Sequence, residues 1–231
     1  MSGRPNSPAQ EPRLAFASLR RLAFAAVLSA AALGAHGALA ATAAPEPDRT
    51  VDMATVLKPG PLPELAMGDA SGVPVVEYGS LTCPHCATFS REVFPDLKKD
   101  YIDTGKVRFI FREFPRNPLD VAAFVLARCV GDDKTFAAIE LLFNEQDKWA
   151  FVDKPLEPLI AAMRPTGLTQ EKAMECLKDQ KEADAIVAIG KRAVDEIKMN
   201  GTPTFVIAGK VYGGELTMDQ LKAILDPLVK K

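Results

Sequence analysis

Hydrophobic spacing changes from strand-like to helical and back as the chain proceeds. The run Val73-Pro74-Val75-Val76-Glu77-Tyr78 is short, apolar and β-branched, which predicts a buried strand interrupted by one acid. After the turn Ser80-Leu81-Thr82, apolar Phe89, Val93, Phe94 and Leu97 recur at helical spacing. They predict a helix from Cys83 to about Tyr101, kinked at Pro95. Alternation then resumes over Lys106 to Phe114 as a second strand.

From Asn117 to Asn200 the period is helical throughout. Five helices are predicted: Leu119 to Cys129 stopping at Gly131, one around Phe136 to Phe143, Leu156 to Met163, Thr169 to Leu177, and Ile186 to Ile197 ending at Asn200-Gly201. Strand signals return in Thr204-Phe205-Val206-Ile207, turn at Ala208-Gly209, and continue in Lys210-Val211-Tyr212. Thr217 and Gln220 form a capping box that opens a last helix through Leu221, Ile224, Leu225 and Leu228. The whole is an α/β domain over about 62–231 with an all-helical insertion over about 117–200. Residues 41–61, with Pro45, Pro47 and Pro59, read as a loose tail holding a short extended piece near Asp52 to Leu57.

The N-terminus has a different character. Residues 1–21 are polar and include Arg4, Arg13, Arg20 and Arg21, residues 22–40 are uncharged and rich in Ala, Leu and Val, and Ala38-Leu39-Ala40 supplies a small-residue cleavage site. This is the pattern of a secretory signal peptide over 1–40. Gly34, His36 and Gly37 dilute the apolar segment and weaken the competing reading as an anchor helix. Arg20-Arg21 suggests the twin-arginine route, but its flanks favour ordinary secretion. The formal charge of −2, with four Arg and one Glu before residue 41, leaves the remainder mildly acidic and argues against a nucleic-acid partner.

Chemistry concentrates in Cys83-Pro84-His85-Cys86. Thiols at i and i+3 of a first helical turn can bridge reversibly, and Pro84 suits a position whose N–H has no partner to lose. The helix start favours a Cys83 thiolate, and the His85 imidazole pushes the same way, so the reduced form is stabilised and the disulfide becomes a stronger oxidant. His36 falls in the leader, leaving His85 as the sole histidine beyond residue 40; a hydrolase base distant in sequence is therefore lacking. An inert bridge within one turn would constrain almost nothing, and a metal site from Cys83, His85 and Cys86 lacks a second ligand pair. Cys129 and Cys176 lie on two predicted helices in a spacing that fits no redox motif. Either they form a structural disulfide, closing a loop of about 47 residues and contributing roughly 4 kcal/mol, or they are buried free thiols.

The order of elements, with Cys83-Pro84-His85-Cys86, Thr202-Pro203 and Glu77 six residues before the first Cys, resembles the thioredoxin fold of the DsbA-like thiol oxidases. The resemblance implies Cys83 as nucleophile, Cys86 as the more buried resolving thiol, and Gly201-Thr202-Pro203 as a cis-proline loop whose backbone pairs with substrate. It implies Glu77 as a buried acid that shuttles protons to Cys86; otherwise Glu77 is a strand-end acid reaching solvent or pairing with Arg112. The implied function is an exported, periplasmic thiol:disulfide oxidoreductase without cofactor, and residues 41–61, too short for a separate dimerisation domain, predict a monomer. It would donate its disulfide to folding secreted proteins and be reoxidised by a membrane partner of the DsbB kind. Thr202 before Pro203 keeps an isomerase or reductase open, and a chaperone or metal-binding carrier on the same fold is the reading from another class.

Overall fold

A computed structural model describes residues 43–229. The predicted leader over 1–40 lies outside the described residues. The elements are β1 (Arg49–Thr50), α1 (Met53–Val56), β2 (Leu65–Met67), β3 (Val73–Gly79), α2 (Pro84–Thr88), α3 (Phe94–Leu97), β4 (Val107–Glu113), α4 (Pro118–Cys129), α5 (Thr135–Asn144) and α6 (Gln146–Trp149). They continue through α7 (Leu156–Ala162), α8 (Gln170–Cys176), α9 (Gln180–Ile197), β5 (Thr204–Ile207), β6 (Lys210–Gly213) and α10 (Met218–Leu225).

The six strands form one sheet in the order β1-β6-β5-β3-β4-β2. Only β3 and β4 run parallel, as a strand-helix-strand crossover requires. β3 is flanked by β4 and β5, and the alternation of its side chains divides the core. Val75 faces one cluster with Phe89, Phe94, Phe109, Phe111 and Phe205, while Val76 and Tyr78 face another with Ile110, Val206, Val211 and Ile197. Glu77 shares the Val75 parity and so enters the phenylalanine-rich side, opposite Phe111 and Phe205 in register.

Pro95 is accommodated by a change of helix type. π-helical turns, Phe89–Val93 and Lys98–Ile102, bracket α3, and the Phe94 N–H reaches the Phe89 carbonyl five residues back. Widening the helix absorbs the missing proline N–H and the bulk of its ring.

The helical region departs from a single block. Helices α4, α5, α7 and α8 build the phenylalanine-side cluster, whereas Ala193 and Ile197 at the end of α9 cover the other face of the sheet. α9 ends at Ile197, before the predicted Asn200-Gly201, because Lys198 takes a left-handed conformation and the Met199 N–H returns to the Ala193 carbonyl. Cys129 at the end of α4 and Cys176 at the end of α8 are joined by a disulfide, their Cα atoms 6.1 Å apart.

The segment expected as a loose tail contributes structure. β1 pairs antiparallel with β6, and the Arg49 guanidinium donates to the Ile197 and Lys198 carbonyls at 2.9 and 3.0 Å, capping α9. Asp52 to Leu57 is helical, not extended: the Asp52 carboxylate accepts from the Ala54 and Thr55 N–H groups and starts α1, which buries Val56. A two-residue strand and a one-turn helix are too short to show a hydrophobic period.

Candidate active site

Cys83 is the N-cap of α2, extended at φ −95° and ψ 119°, with Pro84 in the first turn. Its N–H donates to Ser80 O at 3.1 Å and its carbonyl accepts from Ala87 at 3.2 Å, so the turn and helix hold both sides of the thiol. Across the cleft, the Thr202–Pro203 bond is cis, and Cys83 Sγ lies 3.3 Å from the Thr202 carbonyl oxygen, to which the thiol donates. Cys83 and Cys86 are both free thiols and both buried.

The two sulfurs have opposite electrostatic surroundings. The Cys86 thiol hydrogen-bonds to Cys83 and pulls its pKa down to about 5, with further help from Thr202 and from the backbone N–H groups of Cys86 and His85, against the opposing effect of burial. The Thr202 hydroxyl is buried without a partner while Cys83 is a thiol; ionisation of Cys83 makes that hydroxyl a donor. Burial drives the Cys86 pKa well above the ordinary thiol value, and the interactions with Cys83 and the negative charge of Glu77 add to the rise.

Glu77 is 3% exposed and its Oε1 has no hydrogen-bond partner. Desolvation, then the Cys83 charge, raises its pKa to about 8, so the carboxyl is protonated at neutral pH. The alternative pairing with Arg112 is not made: that guanidinium bonds Glu64 at 2.9 Å, Tyr78 Oη at 3.2 Å and the Val56 carbonyl.

His85 is placed differently from its expected role. Its backbone N–H faces the Cys83 sulfur, but the imidazole is exposed and its Nδ1 sits 2.5 Å from Glu215 Oε1. Glu215 is in the β6–α10 loop, 130 residues away in sequence. That loop also meets the cis-proline loop, where the Gly214 N–H donates to the Pro203 carbonyl at 2.9 Å; the Thr204 hydroxyl donates to Gly201 O at 2.7 Å.

Two further positioning residues were invisible in the sequence. Gln146, the first residue of α6, is 1% exposed and donates from Nε2 to Leu81 O at 2.7 Å and Cys83 O at 3.0 Å. Asp120 is fully buried beneath the same turn, where it accepts from the Ser80 hydroxyl at 2.5 Å, the Arg116 N–H at 2.9 Å and the Thr82 N–H at 3.2 Å. Burial raises its pKa in spite of those donors. Asn117-Pro118-Leu119-Asp120 signals a helix start, yet a first-turn acid ordinarily faces solvent; Gln146 has no signal at all.

Residues 63–227 match the family model described as Thioredoxin. A protein of Rickettsia felis that bears the name protein-disulfide oxidoreductase is 36% identical over 162 residues, 70% of this chain, and the chain spans 58% of that relative's length. The crystal structure of alpha-DsbA1 from Wolbachia pipientis is similar with a TM-score of 0.69 and 30% identity, covering 75% of this chain and 94% of its own. That of oxidised BdbD from Bacillus subtilis, at 21% identity, shares the fold with a TM-score of 0.63 over 80% of this chain and 96% of its own. With its paired thiols at a helix start and a cis-proline opposite them, the chain belongs to the thioredoxin family and is similar to its DsbA-like members.

Proposed function

We propose that this protein is an exported disulfide oxidase, which passes the Cys83–Cys86 disulfide to folding secreted proteins. The observation that carries this reading is the contrast between the thiols: Cys83 is stabilised as a thiolate and Cys86 as a thiol. A pair whose reduced form is stabilised is the better oxidant.

A substrate thiolate attacks Cys83 Sγ, forming the mixed disulfide and breaking the Cys83–Cys86 bond. The Cys86 sulfur leaves with the electron pair and needs a proton. Glu77, protonated at neutral pH with its pKa of about 8, supplies it. A second substrate thiolate then attacks the substrate sulfur of the mixed disulfide, and Cys83 departs as a thiolate, a good leaving group at a pKa of about 5. Two electrons have passed to the enzyme, which a membrane reoxidase of the DsbB kind would remove. The depression beside the Cys83 turn joins Pro118, Leu119, Ala150 and Phe151 to the polar Thr82, Arg116 and Asn117, a mixed surface suited to an unfolded chain. The uncharged run over residues 22–40 and Ala38-Leu39-Ala40 support export to the periplasm.

The test is the equilibrium reduction potential of the Cys83–Cys86 pair, alongside oxidation of a reduced, unfolded ribonuclease. The expected result is a potential above the compartment's glutathione poise, and loss of oxidation in Cys83→Ser. A potential near about −270 mV, that of thioredoxin, would instead make the protein a reductase.

A further inference from the structure

The His85 imidazole stands two residues from Cys83, yet its hydrogen bond goes elsewhere. Its Nδ1 is bound to the Glu215 carboxylate at 2.5 Å, the one ion pair His85 forms among the described residues. Glu215 is held from both sides. Before it, Gly214 stands at φ +87°, where glycine is favoured, and its N–H is tied to the Pro203 carbonyl at 2.9 Å. After it, Leu216 is buried and Thr217 is locked by the capping box of α10. The carboxylate is thus carried by the same loop that secures the cis-proline.

We infer that Glu215 is a positioning residue that tempers the oxidising power of the Cys83–Cys86 pair by holding the His85 imidazole away from the Cys83 sulfur. Two effects lower the potential, and they outweigh the opposing one, that a carboxylate favours the charged imidazolium. A carboxylate near the site repels the thiolate, and it engages the imidazole N–H that could otherwise stabilise the thiolate. Both destabilise the reduced form and so lower the potential. The effect is modest, because the His85 side chain is 72% exposed and the pair is open to solvent. This inference rests on the oxidoreductase reading of the same site and adds to it a residue outside the Cys83–Cys86 motif.

The experiment equilibrates the purified protein, with Cys129–Cys176 intact, against glutathione buffers, so that the enzyme disulfide and two glutathione thiols exchange with the enzyme dithiol and one glutathione disulfide. Glu215→Ala should shift the equilibrium constant about fivefold toward the stronger oxidant, which is about 20 mV at 29.6 mV per tenfold. Glu215→Gln, still an acceptor but uncharged, should fall between this and the unaltered protein. In a His85→Ala background, Glu215→Ala should change the constant less than about twofold, since its main route of action is gone. Thiolate absorbance near 240 nm should show Cys83 ionising at lower pH in Glu215→Ala.

An unchanged constant, a shift toward the reductant, or an equal shift with and without His85 would overturn the inference while leaving the oxidase reading in place. Failure of the unaltered Cys83–Cys86 pair to exchange with glutathione would overturn both.

Discussion

Replacing Glu77 with Gln should change the pH dependence of stability in a way that isolates one buried carboxyl. In the reduced native protein the Glu77 pKa is raised from its ordinary 4.5 to about 8. The native state therefore binds more protons than the unfolded state between these values, and stability falls as pH rises through them. The cost is near zero at pH 4, about 1 kcal/mol at pH 5, about 3 kcal/mol at pH 7 and close to 5 kcal/mol above pH 8. Cys83 acts oppositely. Its pKa falls from 9.0 to about 5 on folding, so it adds stability as pH rises from 5 to 9. Between pH 5 and 8 the two slopes nearly cancel, and these groups leave the reduced protein almost flat. Glu77→Gln removes one slope and exposes the other. Guanidinium denaturation of the reduced protein at unit pH steps should show the variant gaining on the unaltered protein by about 2 kcal/mol between pH 5 and 7, whatever constant offset the buried amide adds. A difference that stays constant over this range would refute a buried, protonated Glu77.

Other expectations follow from the same geometry. Thiolate absorbance should place half-ionisation of Cys83 near pH 5, several units below a free thiol, with Cys86 silent in that range. Gln146→Ala leaves the Leu81 and Cys83 carbonyls without their shared donor and should cost about 2–4 kcal/mol in chemical denaturation, with slower exchange at Cys83 measured by alkylation. Replacing both Cys129 and Cys176 by Ala should lower unfolding free energy by about 2–4 kcal/mol while leaving the Cys83–Cys86 potential within a few millivolts, read in glutathione buffers.

What the sequence discloses depends on how locally each feature is encoded. The β3 run, the helical insert, the β5–β6 hairpin and the Thr217 capping box are all periodic or carry their own turn chemistry, and each was legible within a residue or a few. Cys83-Pro84-His85-Cys86 was legible because the chemistry needs only i, i+3 spacing at a helix start. β1, β2 and α6 were not, since two to four residues establish no period and their pairing is decided by distant neighbours. The same limit explains Gln146, Asp120 and Glu215. Each is an ordinary polar residue locally and acquires a role only from a partner 38 to 130 residues away.

Those long-range contacts bear on why a thioredoxin sheet would carry so large a helical region. The Ser80–Cys83 turn is a short connection whose carbonyls and N–H groups must be satisfied if it is to hold the Cys83 thiol against the cis-proline loop. The sheet and α2 provide only part of that satisfaction. The rest comes from the helical region: Gln146 of α6 takes two carbonyls, Asp120 of α4 takes the Ser80 hydroxyl and the Thr82 N–H, and Asn117 reaches the Thr82 hydroxyl at 2.9 Å. The two helices grip the turn from positions joined by the core they share, so a rearrangement of α4 against α6 would be felt at the Cys83 backbone. On this argument the helical region is part of the redox site. Loosening its packing should disturb exchange kinetics before it unfolds the sheet.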